Sequence, residues 1–160
     1  MEENPKSVPV YAPRGIFPAR VDDKGRLKLP AGFKAYLDQL GEKDVFVTSF
    51  DGRIARIYTN SIWAETERYL SQAGEDHQRR KRLYHLAMHY GADSRLDDQG
   101  RILINSDLRR EMAVESQPVK VMFFNGVIQV WSEAVDQAKL ADAKQVTATD
   151  IDAEEMKGLR

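Results

Sequence analysis

The chain has 160 residues, with 24 lysines and arginines against 25 aspartates and glutamates, and its formal net charge is −1. It contains no cysteine, which excludes a disulfide scaffold, a cysteine nucleophile and a cysteine-based zinc site. At roughly 100 to 200 residues per domain, this length allows one domain or two small ones.

The first predicted elements follow a polar, proline-containing segment, residues 1–13, for which we expect a mobile N-terminal arm. Strands are predicted at 16–21 and 26–29, joined by a turn in which Gly25 can take a positive φ. Pro30 opens a helix that runs to Leu40. A strand pair at 44–49 and 53–58 surrounds the hairpin signal Asp51-Gly52, and a helix begins near Ser61.

The rest of the chain repeats this order after one additional helix. That helix is predicted at 75–90 and carries the basic cluster Arg79–Arg82 near its start. The elements that follow are a strand at 91–96, a turn at 97–100, a strand at 101–104, a helix at 106–113, strands at 118–124 and 127–131, and a helix at 133–144. An acidic C-terminal tail is predicted at 146–160.

An internal repeat organises the chain. Residues 21–34, VDDKGRLKLPAGFK, match residues 96–109, LDDQGRILINSDLR, at a displacement of 75. We therefore divide the chain into two homologous halves, 14–74 and 90–145, separated by a linker helix at 75–89. Each half reads β-β-α-β-β-α and is too small to enclose a core alone, so we expect the halves to pair around a shared core.

Charge is distributed unevenly along this neutral chain. A net charge near zero argues against the polybasic kind of nucleic-acid binder, whose affinity comes mainly from phosphate neutralisation. Residues 14–34, however, contain six basic residues against two acidic ones, whereas residues 136–160 contain four basic residues against six acidic ones. The first half can therefore present a local cationic surface.

The repeated motif resembles a known family. Arg14-Gly15, the two D-x-x-x-R motifs (Asp22 to Arg26 and Asp97 to Arg101) and the linker QRRKRLYHLAMHYGADSRLDDQGRILI are similar to the tandem AbrB-type domains of the MraZ family of bacterial transcription regulators. The resemblance implies an α+β, strand-rich fold in which two AbrB-like halves form a pseudo-twofold swapped-hairpin β-barrel with flanking helices. It also implies a ring-shaped homo-oligomer that binds tandem short repeats in double-stranded DNA, upstream of its own cell-division and cell-wall gene cluster, and usually represses it.

The resemblance maps the DNA-contacting arginine onto Arg26, with Lys24 and Arg14 as weaker neighbours. An arginine fork can grip guanine O6 and N7 in the major groove, while Lys24 or Lys28 could contact phosphates. For Asp22, Asp97 and Arg101 we expect a structural turn with an ion pair, an alternative that also stays open for Asp22 with Arg26. Gln99 replaces Lys24 in the second half, which makes that half more a scaffold than a DNA reader.

Other functional classes find little support in the sequence. His85 and His89 stand four apart without a nearby third ligand, and the paired aspartates have no accompanying nucleophile, so we expect no metal, cofactor, small-molecule substrate or enzymatic activity. No apolar run has the length of a membrane span, and we expect a cytoplasmic, nucleoid-associated protein. The alternative is an antitoxin-like or other protein-interaction module of the AbrB fold, which the acidic tail favours and the doubled domain disfavours.

Overall fold

The structure is a computed structural model and describes residues 10–160, so most of the predicted N-terminal arm, residues 1–9, lies outside it. The described residues form eight strands and six helices. The strands are β1 (Ile16–Val21), β2 (Arg26–Lys28), β3 (Asp44–Thr48), β4 (Ile54–Thr59), β5 (Ala92–Arg95), β6 (Arg101–Leu103), β7 (Pro118–Phe124) and β8 (Val127–Ser132). The helices are α1 (Ala31–Leu40), α2 (Asn60–Leu70), α3 (His77–Tyr90), α4 (Ser106–Met112), α5 (Glu133–Ala143) and α6 (Ala148–Lys157).

Local sequence signals explain most of these boundaries. Pro30 is the residue that precedes α1 rather than its first helical residue, and Gly41 ends α1 with a φ of 70°. Helix α4 ends at Met112, one residue earlier than predicted, because Ala113 adopts a left-handed conformation with a φ of 56°. The side chain of Asn105 caps α4 by accepting a hydrogen bond from a backbone amide, as expected for asparagine before a helix.

All eight strands belong to one antiparallel sheet with the order β5-β3-β4-β8-β7-β1-β2-β6. Its two outermost strands, β5 and β6, lie side by side, where the Leu103 amide donates to the Ser94 hydroxyl at 3.1 Å. The sheet is thus a nearly closed barrel flanked by helices. The expected strand-rich α+β barrel is confirmed.

The strands of the two halves are interleaved in this barrel. The β7–β8 hairpin of the second half inserts between the β3–β4 and β1–β2 hairpins of the first half. Strand β1 pairs with β7, and its repeat equivalent β5 pairs with β3, as a pseudo-twofold axis requires. The β2–β6 and β4–β8 pairs join the halves on opposite walls of the barrel. This arrangement is the swapped-hairpin fold that the resemblance implied.

One continuous apolar core fills the barrel and draws on both halves. Its members include Val21, Leu27, Phe33, Leu37, Val47 and Ile57 from the first half and Ile102, Ile104, Leu108, Val121, Ile128 and Val130 from the second. Full burial of one such side chain contributes about 1.5–3 kcal/mol to folding. Because both halves bury side chains in the same core, separating the halves would expose these apolar side chains to water.

Helices α2 and α3 form a second layer outside the barrel. Trp63 of α2 packs against Phe46 and Tyr58, with ring centroids 4.5 and 5.0 Å away, and Ala87 of α3 is fully buried beside them. Helix α5 packs on β7 and β8. The tail predicted at 146–160 contains a helix that the sequence analysis did not predict, α6, and every residue from 137 to 160 is exposed.

Candidate nucleic-acid interface

The two D-x-x-x-R turns have the same hydrogen-bond geometry. One carboxylate oxygen of Asp22 accepts from the backbone amides of Lys24 and Arg26 at 3.0 and 2.8 Å, and the other accepts from Arg26 Nε at 2.9 Å. In the second turn Asp97 accepts from two backbone amides at 2.9 Å and from Arg101 Nε at 2.8 Å. Each aspartate therefore fixes its turn and the direction of its arginine. We call Asp22 and Asp97 the turn aspartates.

These contacts also set the charge of the turn aspartates. The backbone amide of the arginine four residues later is the largest influence, and it lowers the pKa of each carboxyl below its ordinary value of 3.8. The arginine side chain acts in the same direction, while partial desolvation opposes it. Both carboxylates are consequently ionised at neutral pH, and each offsets part of the charge of the arginine that it holds.

Each turn is locked against the opposite half of the chain. The Ile104 amide donates to the Gly25 carbonyl at 3.1 Å, and the Leu29 amide donates to the Gly100 carbonyl at 2.8 Å. Gly25 has a φ of 78°, and the guanidinium of Arg109 lies where its side chain would be. Glycine is favoured here by its conformation, because other residues are strained at this φ, whereas the Arg109 guanidinium is the end of a flexible side chain that can move. The turns are rigid parts of the barrel, and the side chains that they carry are held in place.

Strands β2 and β6 bring the two motifs together on one wall. Leu27 lies opposite Ile102, and both side chains point into the core with no exposed surface. The neighbouring positions therefore face outward, because side chains alternate along a strand. These outward residues are Arg26 and Lys28 on β2 and Arg101 and Leu103 on β6.

Three cations form a row across this wall. Arg20 on β1 is the register partner of Lys28 on β2, and Lys28 is the partner of Arg101 on β6. Directly opposed residues of an antiparallel pair have Cβ atoms about 4.5–5.5 Å apart, and like charges there are destabilising. An anion bound over this cationic row, Arg20–Lys28–Arg101, would relieve the repulsion. The arrangement suits a polyanionic ligand.

Comparison with known proteins gives relatives of one kind. The chain is 39% identical over 106 residues to the transcriptional regulator MraZ of Acidobacterium capsulatum, covering 66% of this chain and 73% of that protein. It is 38% identical over 112 residues to the transcriptional regulator MraZ of Koribacter versatilis, covering 69% and 76%. The chain belongs to the MraZ family. A relative from Thiobacillus denitrificans with the same name is 28% identical over 81% of this chain and 87% of its own length. No protein-family model matches the chain.

The residues that the MraZ resemblance singled out are only partly brought together. Lys24 lies exposed in the first turn, Arg26 follows it at the start of β2, and Lys28 ends the same strand. The Arg26 side chain is 30% exposed. Among residues 10–160 its only side-chain hydrogen bond runs through Nε to Asp22, which leaves both Nη groups available to a ligand.

Arg14 stands apart from these residues. It precedes the end of β1 that pairs with Met122, whereas Arg20, at the other end of that strand, lies beside β2. At about 3.3 Å per residue, Arg14 is roughly 20 Å along the strand from Arg20. Its guanidinium instead lies 6.0 Å from the ring centroid of Tyr11. Basic residues that are close in the sequence therefore lie at two separate places on the molecule, at opposite ends of β1.

Sequence reasoning missed Arg20 as a site residue and gave Arg101 no part in the cationic surface. Arg20 could have been found from the hairpin alone, because a turn at residues 22–25 places positions 20 and 28 opposite each other. The approach of Arg101 to Lys28 has no such local signal, since it depends on pairing between the halves. Arg20 is also anchored, donating to the Ser116 carbonyl at 3.0 Å.

Acidic residues accompany the cations on this wall. The turn aspartates are engaged by their arginines, and Asp23 and Asp98 are exposed beside them. The net positive charge of this wall is therefore small, and the wall by itself would hold a polyanion weakly. Within the described range, residues 10–160, no group of three or more potential ligands could hold a metal ion, and no helix is both long and apolar enough to cross a membrane.

Proposed function

We propose that this member of the MraZ family is a sequence-specific, DNA-binding transcriptional regulator whose β2–β6 wall contacts double-stranded DNA. The observation that carries the proposal is the cationic row, in which three positive side chains from both halves stand in register. Its relatives carry the name of transcriptional regulators, which supports the same conclusion. The function needs no cofactor, small-molecule substrate or catalytic step. It would place the protein in the cytoplasm with the nucleoid.

This surface would make two kinds of contact with DNA, one to base edges and one to phosphates. Arg26 is held by Asp22 through Nε, and its two Nη groups can donate to guanine O6 and N7. Arg20 and Lys28 suit phosphate contacts, which fix position along the duplex without reading its sequence. Lys24 at the turn tip would add a phosphate contact. Arg14, at the far end of β1, would reach DNA only if the duplex extends along that strand.

The second motif takes part in this proposal through its position. Arg101 faces outward beside Lys28, so the motif of the second half supplies charge to the same wall that displays Arg26. Asp97 holds Arg101 as Asp22 holds Arg26, which supports a structural turn that also directs one cationic side chain. Because Gln99 stands where Lys24 does in the first turn, the second turn has one positive charge fewer and would contribute less to DNA binding.

Assembly would supply the affinity that one protomer lacks. One bidentate arginine–guanine contact is worth about 1–3 kcal/mol of discrimination. Linking several such walls in a ring-shaped homo-oligomer raises avidity by roughly a hundredfold to ten-thousandfold when repeated DNA boxes match the subunit spacing. We propose tandem short repeats upstream of the protein's own gene cluster as the target, and repression as the outcome.

A titration of DNA from upstream of the gene tests this proposal. Wild type should bind that DNA more tightly than a scrambled duplex, and the affinity should fall as salt rises. Arg26→Ala should remove the preference while the oligomer mass in light scattering stays unchanged. Equal binding of both duplexes by wild type would refute sequence-specific recognition.

The exposed acidic helix α6 favours a second candidate, an antitoxin-like module that binds another protein. Size in solution separates the two, because the regulator should form a large ring and the antitoxin-like module a dimer.

A further inference from the structure

Helix α6 is well formed but packs against no other element among residues 10–160. A capping box starts it, with the Asp150 amide donating to the Thr147 hydroxyl at 3.1 Å and the Thr147 amide donating to the Asp150 carboxylate at 2.8 Å. All of its residues are exposed, and Met156 is 89% exposed. A helix of 10 residues is marginal in water unless one face packs against another surface. Helix α6 therefore has a face available for a partner.

One side of α6 combines apolar and acidic side chains. Asp152 and Glu155 are three positions apart and share a face. Within the described part of the chain neither carboxylate has a basic partner at ion-pair distance, whereas Glu154 on the other side pairs with Lys157 at 3.8 Å. The apolar residues on or beside the acidic face are Ala148, Ile151 and Met156.

A groove between α2 and α3 has the complementary character. Its volume is about 750 Å³, and Ala64, Leu70 and Tyr84 give it an apolar lining. Arg68 and Lys81 stand at the same groove, and across residues 10–160 neither lies within ion-pair distance of a carboxylate. A further lining residue, Glu67, accepts a hydrogen bond from the Tyr84 hydroxyl at 3.3 Å.

Charge reinforces the match between the groove and α6. Helix α3 contains four lysines and arginines in succession and no carboxylate. Ion pairs that form beside an apolar contact are partly desolvated and are stronger than fully exposed pairs. A short acidic helix with flanking apolar residues is thus the kind of partner that this groove fits.

We propose that α6 of one protomer docks in the α2–α3 groove of a second copy of this chain, with Asp152 and Glu155 beside Arg68 and Lys81. In its own chain α6 follows α5, which packs on β7 and β8, whereas α2 and α3 pack on β3 and β4, and α6 stays exposed. A neighbouring copy offers both surfaces at once, so the contact can be repeated around an assembly. The inference rests on the self-association in the proposed function and not on DNA binding.

Cross-linking tests the identity of the occupant, because the chain has no natural cysteine. In the double variant Lys81→Cys/Asp152→Cys, which keeps Arg68, Glu155 and the apolar residues to hold the contact, a short bismaleimide should join chains, giving a ladder of multimers on a denaturing gel. The control Lys81→Cys/Glu154→Cys, with the second cysteine on the opposite side of α6, should give little. A compact cross-linked monomer would show docking within one chain and overturn the proposal, as would the absence of any cross-link.

Light scattering provides a matched second measurement. The variants Asp152→Asn/Glu155→Gln and Glu154→Lys change the net charge equally. Only Asp152→Asn/Glu155→Gln should lower the mass of the assembly or raise the dissociation constant of the assembly by tenfold or more. Asp152→Lys/Glu155→Lys should be rescued by Arg68→Glu/Lys81→Glu in the same chain.

The possible failures are distinguishable. A monomeric wild type refutes self-association as well. An assembly that keeps its mass in the Asp152→Asn/Glu155→Gln variant refutes only the docking. If Arg68→Glu/Lys81→Glu weakens DNA binding and leaves assembly unchanged, the groove is a DNA contact and the docking is refuted.

Discussion

Removing two cations of the row should change the salt dependence of DNA binding in a measurable way. In the double variant Arg20→Gln/Lys28→Gln, two exposed, directly opposed side chains keep much of their length and lose their charge. Neither residue is in the core, so the fold should be retained. Relief of like-charge repulsion between β1 and β2 should offset loss of the exposed hydrogen bond from Arg20 to the Ser116 carbonyl, so stability should stay about equal.

The size of the effect follows from counterion release. Each phosphate contact contributes about −0.9 to the slope of log K against log salt, so loss of two contacts should make the slope shallower by roughly 1.8 for each bound protomer. Between about 50 and 200 mM salt, this difference corresponds to about a tenfold change in the ratio of wild-type to variant affinity. The variant should be most defective at low salt.

Fluorescence anisotropy with labelled DNA at four salt concentrations measures this slope. Arg53→Gln/Lys144→Gln is the matched control, because it removes the same charge from the turn before β4 and the end of α5, away from the β2–β6 wall. The control should keep the wild-type slope. An unchanged slope in Arg20→Gln/Lys28→Gln, or the same change in both variants, would refute the assignment of phosphate contacts to the cationic row.

The remaining predictions concern stability. Ile102→Ala empties a fully buried position between the halves and should lower the free energy of unfolding by about 2–5 kcal/mol in a urea titration, whereas Leu103→Ala, at a residue 54% exposed, should change it by less than about 0.5 kcal/mol. Gly25→Ala places alanine at a φ of 78°, so it should cost at least about 1 kcal/mol, and wild-type stability would show that this turn does not need glycine. The turn aspartates have pKa values below their ordinary 3.8, so their contribution to stability is complete above that value and is lost as pH falls through the lower folded pKa. Below about pH 4 the thermal midpoint of wild type should therefore fall more steeply than that of a variant with both replaced by asparagine; parallel curves would disprove this linkage.

Local signals were sufficient for most of the secondary structure. Strands β1 and β7 have the predicted ends, and the β3–β4 hairpin forms around Asp51-Gly52 as expected. Each of these elements is specified by residues within itself or its adjoining turn. Helix α6 was missed although Thr147 and Asp150 are a recognisable capping pair, because its acidic composition and weak apolar pattern pointed to a tail.

The candidate site was predictable only in part. The repeat identified both turns, and the structure contains the Asp22–Arg26 ion pair that the sequence left open as an alternative. Grouping Arg14 with that turn treated proximity in sequence as proximity in space. A strand of six residues separates the two, and an extended chain carries its ends far apart.

The sequence alone showed a repeated motif with an aspartate and an arginine in each copy, and it predicted which side chains alternate on each strand. Only the tertiary structure decided that Lys28 lies opposite Arg101, a residue 73 positions further along the chain. That register is set by Leu27 and Ile102, which must both enter the same core, and a shift by one residue would turn them outward. The physical reason is that turns and caps depend on neighbours in sequence, whereas pairing between distant strands depends on the free energy of burying one shared core.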